Sequence, residues 1–517
     1  MTRFSRRGFL AASAALSASL AVPARLRAAP EGFSLTATTR TIEVNGRAAT
    51  VMGLLNAQGR PGLTLAPGER FRTQLSNALD IDTIVHWHGQ IPPNAQDGVP
   101  NTNPMLKPGE TRAYDFAPRP GTFWMHSHLP EQEIAMLAAP LIVHRPEDIS
   151  EDRQEVVMFL HDFSFLTPQE VLARVTGGTA PDHMTMDHSA PPAGGMAAMP
   201  GMGGMSGHSM QGGAMSGMQG MGNMSGSGMA GMNMSGSGMG SGMGMAMDLN
   251  DFDFDAYLAN DRTLDDPDVI RTEPGGRIRL RVLNAAAMTA FWIDLGGVTG
   301  HLVAVDGEPV VPLAGTRFSA APAQRLDIEL EMPTDGKALP VLALREGARE
   351  RTGIVLAPKG AAIPRIAALS DTAHPAVSGD MRQESALSAL TPLAARPVQA
   401  ARTVMLSGSM QPYVWTIDGR TWANRQPVAV TSGDRVELTF HNMSMMAHPM
   451  HLHGHVFQVV ALNGKRFSGA MRDTVHVPAM GSVTVAFDAG EAAPWMLHCH
   501  HMGHLATGMM TELAVSA

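Results

Sequence analysis

Three stretches of the chain carry the same alternation of apolar and polar positions. They are Gly68-Glu69-Arg70-Phe71-Arg72-Thr73-Gln74-Leu75-Ser76-Asn77, Gly275-Gly276-Arg277-Ile278-Arg279-Leu280-Arg281-Val282-Leu283-Asn284 and Gly433-Asp434-Arg435-Val436-Glu437-Leu438-Thr439-Phe440-His441-Asn442. Each runs from a turn glycine, through an Arg two positions later, to an Asn. A side-chain period of two bounded by turn residues predicts a half-buried β-strand. Twelve residues past each Asn stands another glycine: Gly89, Gly296 and Gly454. Self-similarity at this level predicts three related β-domains. Frequent Gly and Pro between short alternating runs suit sandwiches or barrels. Amphipathic helices are few, with a short one predicted at 167–175.

The pattern fails between residues 176 and 248. Met, Gly, Ser and Ala dominate there, and eighteen of the 39 methionines fall between Met184 and Met247. Such a methionine-rich composition buries too little apolar area to offset backbone ordering, so a disordered insertion is expected. A weaker linker, rich in Ala, Pro and Ser, spans 361–400. The expected organisation is an export signal at 1–29, domain 1 at 30–147, domain 2 with its insertion at 148–360, the linker, and domain 3 at 401–517.

At 517 residues the chain is too long for one hydrophobic core. A net charge of -9 argues against a nucleic-acid partner. Ser5-Arg6-Arg7-Gly8-Phe9-Leu10 precedes an Ala-rich apolar run that ends near Val22, too short for a membrane span. Paired arginines before such a run resemble the twin-arginine signal, with cleavage near Ala28 or Ala29 and delivery to the periplasm. The single cysteine, Cys499, rules out an intramolecular disulfide.

The candidate chemistry lies at the repeat-related positions. Three residues and one residue before Gly89 and Gly454 are histidines: His86 and His88, His451 and His453. In the second copy these positions are Ile293 and Leu295, so the scaffold does not itself require histidine. A further correspondence links Gly121-Thr122-Phe123-Trp124-Met125-His126-Ser127-His128 to Ala493-Pro494-Trp495-Met496-Leu497-His498-Cys499-His500. Side chains alternate across a strand, so each His-X-His pair faces one side. In the last pair Cys499 must face away from His498 and His500. One strand then offers two imidazoles to one metal cluster and a thiolate to another. Two His, a Cys thiolate and a weak axial Met define a blue-copper electron-transfer site. His504 and Met509 follow Cys499 closely, and His448 is the unpaired candidate for the second His. The other eight imidazoles are too many for one ion and would suit three coppers.

His86-Trp-His-Gly, His126-Ser-His, His448-Pro-Met-His-Leu-His-Gly-His and His498-Cys-His-His-Met-Gly-His-Leu-Ala-Thr-Gly-Met-Met resemble the four signature motifs of the multicopper oxidases. The resemblance covers nearly the whole chain apart from the signal and the insertion. It implies an all-β fold of three cupredoxin-like Greek-key β-barrel domains, with four copper ions. On that resemblance His448, Cys499, His504 and Met509 hold type 1 copper, and His86 and His451 hold type 2. His88, His126 and His498 hold one type 3 ion, and His128, His453 and His500 hold the other. Cys499, with His498 and His500, relays electrons, and dioxygen is reduced to water. Asp97 matches an acid that family members place near type 2 copper. Many bacterial relatives carry a carboxylate just after the type 1 His, where this chain has Leu505-Ala506-Thr507-Gly508, which leaves the proton route on the type 3 side open.

Chains of this shape are similar to periplasmic copper-resistance and copper-efflux oxidases, which convert Cu(I) to Cu(II). Soft thioethers favour Cu(I). Met443, Met445 and Met446, just before His448, are the candidate substrate ligands, although Ser444 stands where the efflux enzymes have Asp. A laccase-like oxidase of phenols or aromatic amines is the alternative, and a copper-sequestering protein is a third reading. The expected assembly is a monomer without a membrane span.

Overall fold

The computed structural model describes residues 32–178, 249–377 and 381–517. The expected export signal and, from residue 179 on, the methionine-rich stretch lie outside the described residues. Among them, strands form six sheets in three successive pairs: four and four strands, six and five, then seven and five. These are three cupredoxin-like β-barrels. The second and third share one continuous apolar core, and the first has its own. Helices are short, and among the described residues none is long and apolar enough to cross a membrane. The expected helix is Pro168–Val175, opened by a Thr167 cap that Glu170 reciprocates.

The recurrent Asn has a physical reason. Phe71–Asn77, Arg277–Asn284 and Arg435–Asn442 are equivalent strands, and each ends on a buried carboxamide. Asn442 Nδ2 donates to Met446 O and Pro478 O, while its Oδ1 accepts from Ser444 N. Asn77 ties Ile81, Leu106 and Leu79 in the same way, and Asn284 ties Thr289, Ala320 and Ala286. Each carboxamide closes the loop leading into the next strand, which in the first and third barrels carries the histidines. Gly454 ends that strand with φ at +64°, where a Cβ would run into the Trp495 ring.

Val85–His88 pairs antiparallel with Gly121–Ser127, setting His86 opposite His126. His448–Leu452 lies between Thr474–Val477 and Pro494–Cys499, setting His451 opposite both Thr474 and His498. Ile293 and Leu295, at the equivalent positions of the second barrel, are fully buried apolar residues. That barrel instead contributes Arg325, whose Nη1 donates to Asp473 Oδ1 at 2.8 Å. A buried ion pair thus steadies the third barrel beside its histidines.

The segment after the second barrel is pinned by Glu346, whose Oε2 accepts from Val377 N at 2.7 Å. Burial pushes the Glu346 carboxyl up to about 7. The folded chain therefore binds this proton more tightly than the unfolded chain does. The contribution of Glu346 to stability should fall as pH rises from about 4.5 to about 7, by about 3 kcal/mol, and then level off, against the opposite trend of the buried imidazoles. Glu346→Gln, which keeps an acceptor for Val377 N, should remove that contribution, so the stability difference between wild type and variant should change by about 3 kcal/mol between urea titrations at about pH 5 and about pH 8. An unchanged difference would contradict this account.

Candidate metal centres

Two groups of donors converge, separated by the strand Pro494–Cys499. On one face, Cys499 Sγ lies 3.5 Å from His504 Nδ1 and 3.8 Å from His448 Nδ1, and the two Nδ1 atoms are 3.1 Å apart. All three side chains are fully buried, as is Met509. Met509 is held alongside by its carbonyl, which accepts from Cys499 N, and by its N–H, which donates to His504 O. The outer ring nitrogens are engaged elsewhere. His448 Nε2 meets Ser444 Oγ at 2.8 Å, and His504 Nε2 lies 3.3 Å from Asp251 Oδ2. Both rings therefore present Nδ1 inward. Asp251 is further held by the Tyr413 hydroxyl, and His501 stacks on His504 with ring centroids 3.9 Å apart. Burial raises the Cys499 thiol well above its ordinary pKa, so its thiolate requires a compensating cation.

On the other face stand eight buried imidazoles. Their nitrogens gather into three compact groups: His86, His88 and His451; His88, His126 and His500; His128, His453 and His498. The outer nitrogens are again fixed by backbone or carboxylate. His86 Nδ1 meets Asp97 O, His451 Nδ1 meets Asp473 O, and His498 Nδ1 meets Cys499 O. His88 differs. Its Nε2 is taken by Thr474 Oγ1 at 3.1 Å and Asp473 Oδ1 at 3.2 Å, so Nδ1 faces the cluster. Burial and the neighbouring rings push His88, His126, His128, His451, His453 and His500 well below the usual imidazole range, and burial takes His498 to about 3. Neutral imidazoles are the ligand form. Nε2 of His86, His451 and His500 is buried without any hydrogen-bond partner. Unpartnered nitrogens converging at contact distance are costly unless a cation completes them, so both donor sets fit copper.

One expectation is corrected. His500, not His498, joins His88 and His126, and His498 joins His128 and His453. The cause is register. His498 lies opposite His451, so its Nε2 reaches His453 Nε2 at 3.0 Å and His128 Nε2 at 3.3 Å. His500 lies past the end of the strand, with ring centroids 5.0 Å from both His88 and His126.

Asp97 is a turn residue, following Asn94–Gln96, and is also part of the site. Its Oδ2 lies 2.9 Å from His453 Nδ1, its Oδ1 is 3.4 Å from His86 Nδ1, and the side chain is fully buried. Glu133 was not foreseen. It projects from the helix Pro130–Ile134, with Oε2 2.8 Å from His126 Nδ1 and Oε1 3.5 Å from His500 Nδ1. Burial pushes its carboxyl well above the usual carboxylate range. Leu505 lies on Met502–Ala506, which packs against this helix, so Glu133 brings a carboxylate to the side where the sequence lacks one.

The methionines divide. Met443 is 55% exposed and Met445 54%, but Met446 is only 6% exposed, within the apolar core. Met480, 62% exposed, stands beside the outer pair, its N–H donating to Ser444 O at 3.0 Å.

Models of one family, described as multicopper oxidase, match residues 36–148, 233–352 and 395–517. The multicopper oxidase MmcO of Mycobacterium tuberculosis is 28% identical over 99% of this chain and 96% of its own. Copper resistance protein A of Escherichia coli is 25% identical over 96% and 94%. Laccase-1 of Botryotinia fuckeliana is 22% identical over 94% and 82%. A multi-copper oxidase structure from Pseudomonas thermotolerans, 21% identical, superposes with a TM-score of 0.64 over 94% of this chain and 99% of that one, a likeness of fold.

Proposed function

The chain belongs to the multicopper oxidases, which oxidise a reductant at the expense of dioxygen, and we propose that its reductant is Cu(I). Four Cu(I), one dioxygen and four protons would give four Cu(II) and two waters.

The observation that carries this reading is where the methionine-rich stretch begins and ends. Before it, the helix Pro168–Val175 packs on Met502–Ala506, the helix that bears His504. After it, Asp251 lies against His504 Nε2. The described residues on either side of the stretch thus lie beside His504, and the sequence between them carries eighteen methionines. Soft sulfur ligands select Cu(I). Met443, Met445 and Met480 add three exposed thioethers, joined through Ser444 to His448.

Bound copper would supply the one-electron chemistry and the reduction of dioxygen. The chain does the rest. Ser444 and Asp251 orient His448 and His504. The covalent path from Cys499 to His498 and His500 links the two donor sets. Asp97 and Glu133 are the acids beside the imidazole cluster, and Glu133 Oε1, buried without a hydrogen-bond partner, is placed to hold a proton. The same reading places the enzyme in the periplasm, supported by the Arg6-Arg7 segment.

Oxygen uptake driven by Cu(I) tests the proposal. Met443→Leu/Met445→Leu/Met480→Leu should raise the KM for Cu(I) about tenfold and leave phenol turnover unchanged, because Leu keeps the volume and removes the sulfur. Wild-type enzyme that turns over a phenol but shows no Cu(I)-dependent uptake would be laccase-like instead. Copper binding without turnover of either would favour sequestration.

A further inference from the structure

Asp251 brings a carboxylate into the protein interior with no cationic side chain to meet it. Its side chain has no solvent contact, and its Oδ1 has no hydrogen-bond partner. Its Oδ2 accepts from the Tyr413 hydroxyl and lies 3.3 Å from His504 Nε2 and 3.6 Å from His501 Nε2. Among the described residues no lysine or arginine pairs with it. The guanidinium of Arg345, close in space to this segment, is taken by Asp253 at 2.7 Å.

The seat of this carboxylate is built by its neighbours. Arg345 ends the strand Leu339–Arg345 of the second barrel. Its Nε donates to Asn250 Oδ1 at 3.0 Å and its Nη2 to Phe252 O at 3.1 Å, while Asn250 Nδ2 donates to Glu346 O at 3.0 Å. Residues on both sides of Asp251 are thus fixed to the second barrel, and the carboxylate is set against a ring of the third. The two inward-facing rings of the Cys499 site are therefore unequal. His448 Nε2 meets the neutral hydroxyl of Ser444, whereas His504 Nε2 faces the carboxylate.

A buried carboxylate without a countercharge is costly unless a cation balances it. The cation site it faces, across a single imidazole ring, is the Cys499 donor set. We infer that Asp251 is a positioning residue that favours the oxidised copper ion in that set and so reserves the site for strong one-electron reductants such as Cu(I), at the expense of phenols. Cu(II) carries one positive charge more than Cu(I), so a fixed negative charge one ring away holds the oxidised ion more tightly. Asp251 touches neither copper nor reductant and acts through His504. The inference rests on copper in the Cys499 site and not on which reductant the enzyme uses.

Anaerobic redox titration of the copper-loaded enzyme against an inorganic redox couple, read on the copper–thiolate absorption, tests it. Asp251→Asn keeps the size and an oxygen for the Tyr413 hydroxyl but removes the charge. The one-electron equilibrium should move about tenfold toward the reduced ion, a rise of about 59 mV. Asp251→Ser, smaller and also neutral, should show a rise of the same sign, so the charge can be read even if the asparagine amide disturbs the ring. Both variants should keep the absorption band, and both should be bleached faster than wild type by excess phenol. Tyr413→Phe, which leaves the charge in place, should shift the equilibrium less than either. The inference is overturned if the neutral variants titrate at or below the wild-type potential, or if Tyr413→Phe rises as far as they do. No Cu(I) enters the titration, so its result stands whether or not Cu(I) proves to be the substrate.

Discussion

Cys499→Ser should reduce turnover with Cu(I) and with a phenol alike by about a thousandfold or more, since both must pass electrons through one site. Sulfur is the only soft anionic donor in that site, and a serine oxygen would neither ionise there nor bind copper comparably. The substitution keeps the backbone pairing of residue 499 with Met450, and with it the placement of His498 and His500 on the opposite face. The imidazole cluster should therefore keep its copper. The expected protein carries about one ion fewer per chain and lacks the intense visible absorption of a copper–thiolate bond. The hydroxyl adds a buried polar group to an apolar pocket, a cost of about 1–3 kcal/mol. A moderate drop in melting temperature with the fold intact separates loss of the donor from loss of structure. Retained colour with retained turnover would remove Cys499 from the electron path.

The parts of this site legible in the sequence are those that depend on local spacing. Period-two alternation sorted His498 and His500 to one face and Cys499 to the other, and repeat register brought in His86, His88, His451 and His453. Partition of His498 and His500 between the two imidazole groups was not legible. It follows from which residue lies opposite His451 and from where the strand ends, both set by tertiary pairing. The exposure of the methionines was not legible either. Along 443–446 exposure alternates, with Met443 and Met445 outward and Ser444 and Met446 inward. These residues lie in a bend between the strands Arg435–Asn442 and His448–Leu452, so the strand parity used for the histidines does not reach them.

Asp251 and Glu133 had no such signal. Asp251 precedes His504 by roughly half the chain, and only packing of the second barrel against Met502–Ala506 brings them together. Glu133 follows His128 by five residues, but on a single helical turn whose direction no spacing rule specifies. The fold itself was more legible because a repeated Asn, with the same three hydrogen bonds each time, marks the same loop in all three barrels. The absence of ligands at Ile293 and Leu295 likewise followed from their apolar character.

Glu133→Gln should slow oxygen-dependent turnover about 10–100-fold while leaving anaerobic reduction of the Cys499 site unchanged. The wild-type carboxyl sets Oε2 2.8 Å from His126 Nδ1, while Oε1, 3.5 Å from His500 Nδ1, is buried without a hydrogen-bond partner. Glutamine keeps the size but has one oxygen only. Its amide nitrogen would stand on the His500 side, a donor where the carboxyl has an unpartnered oxygen. The amide also cannot hold or release a proton. Stopped-flow bleaching of the visible band by substrate, followed by oxygen uptake on the same sample, separates the half-reactions. Both half-reactions slowed together, with a lower melting temperature of the copper-free protein, would make Glu133 a packing residue. Uptake within about twofold of wild type would leave Asp97 as the acid that matters on both sides of the cluster.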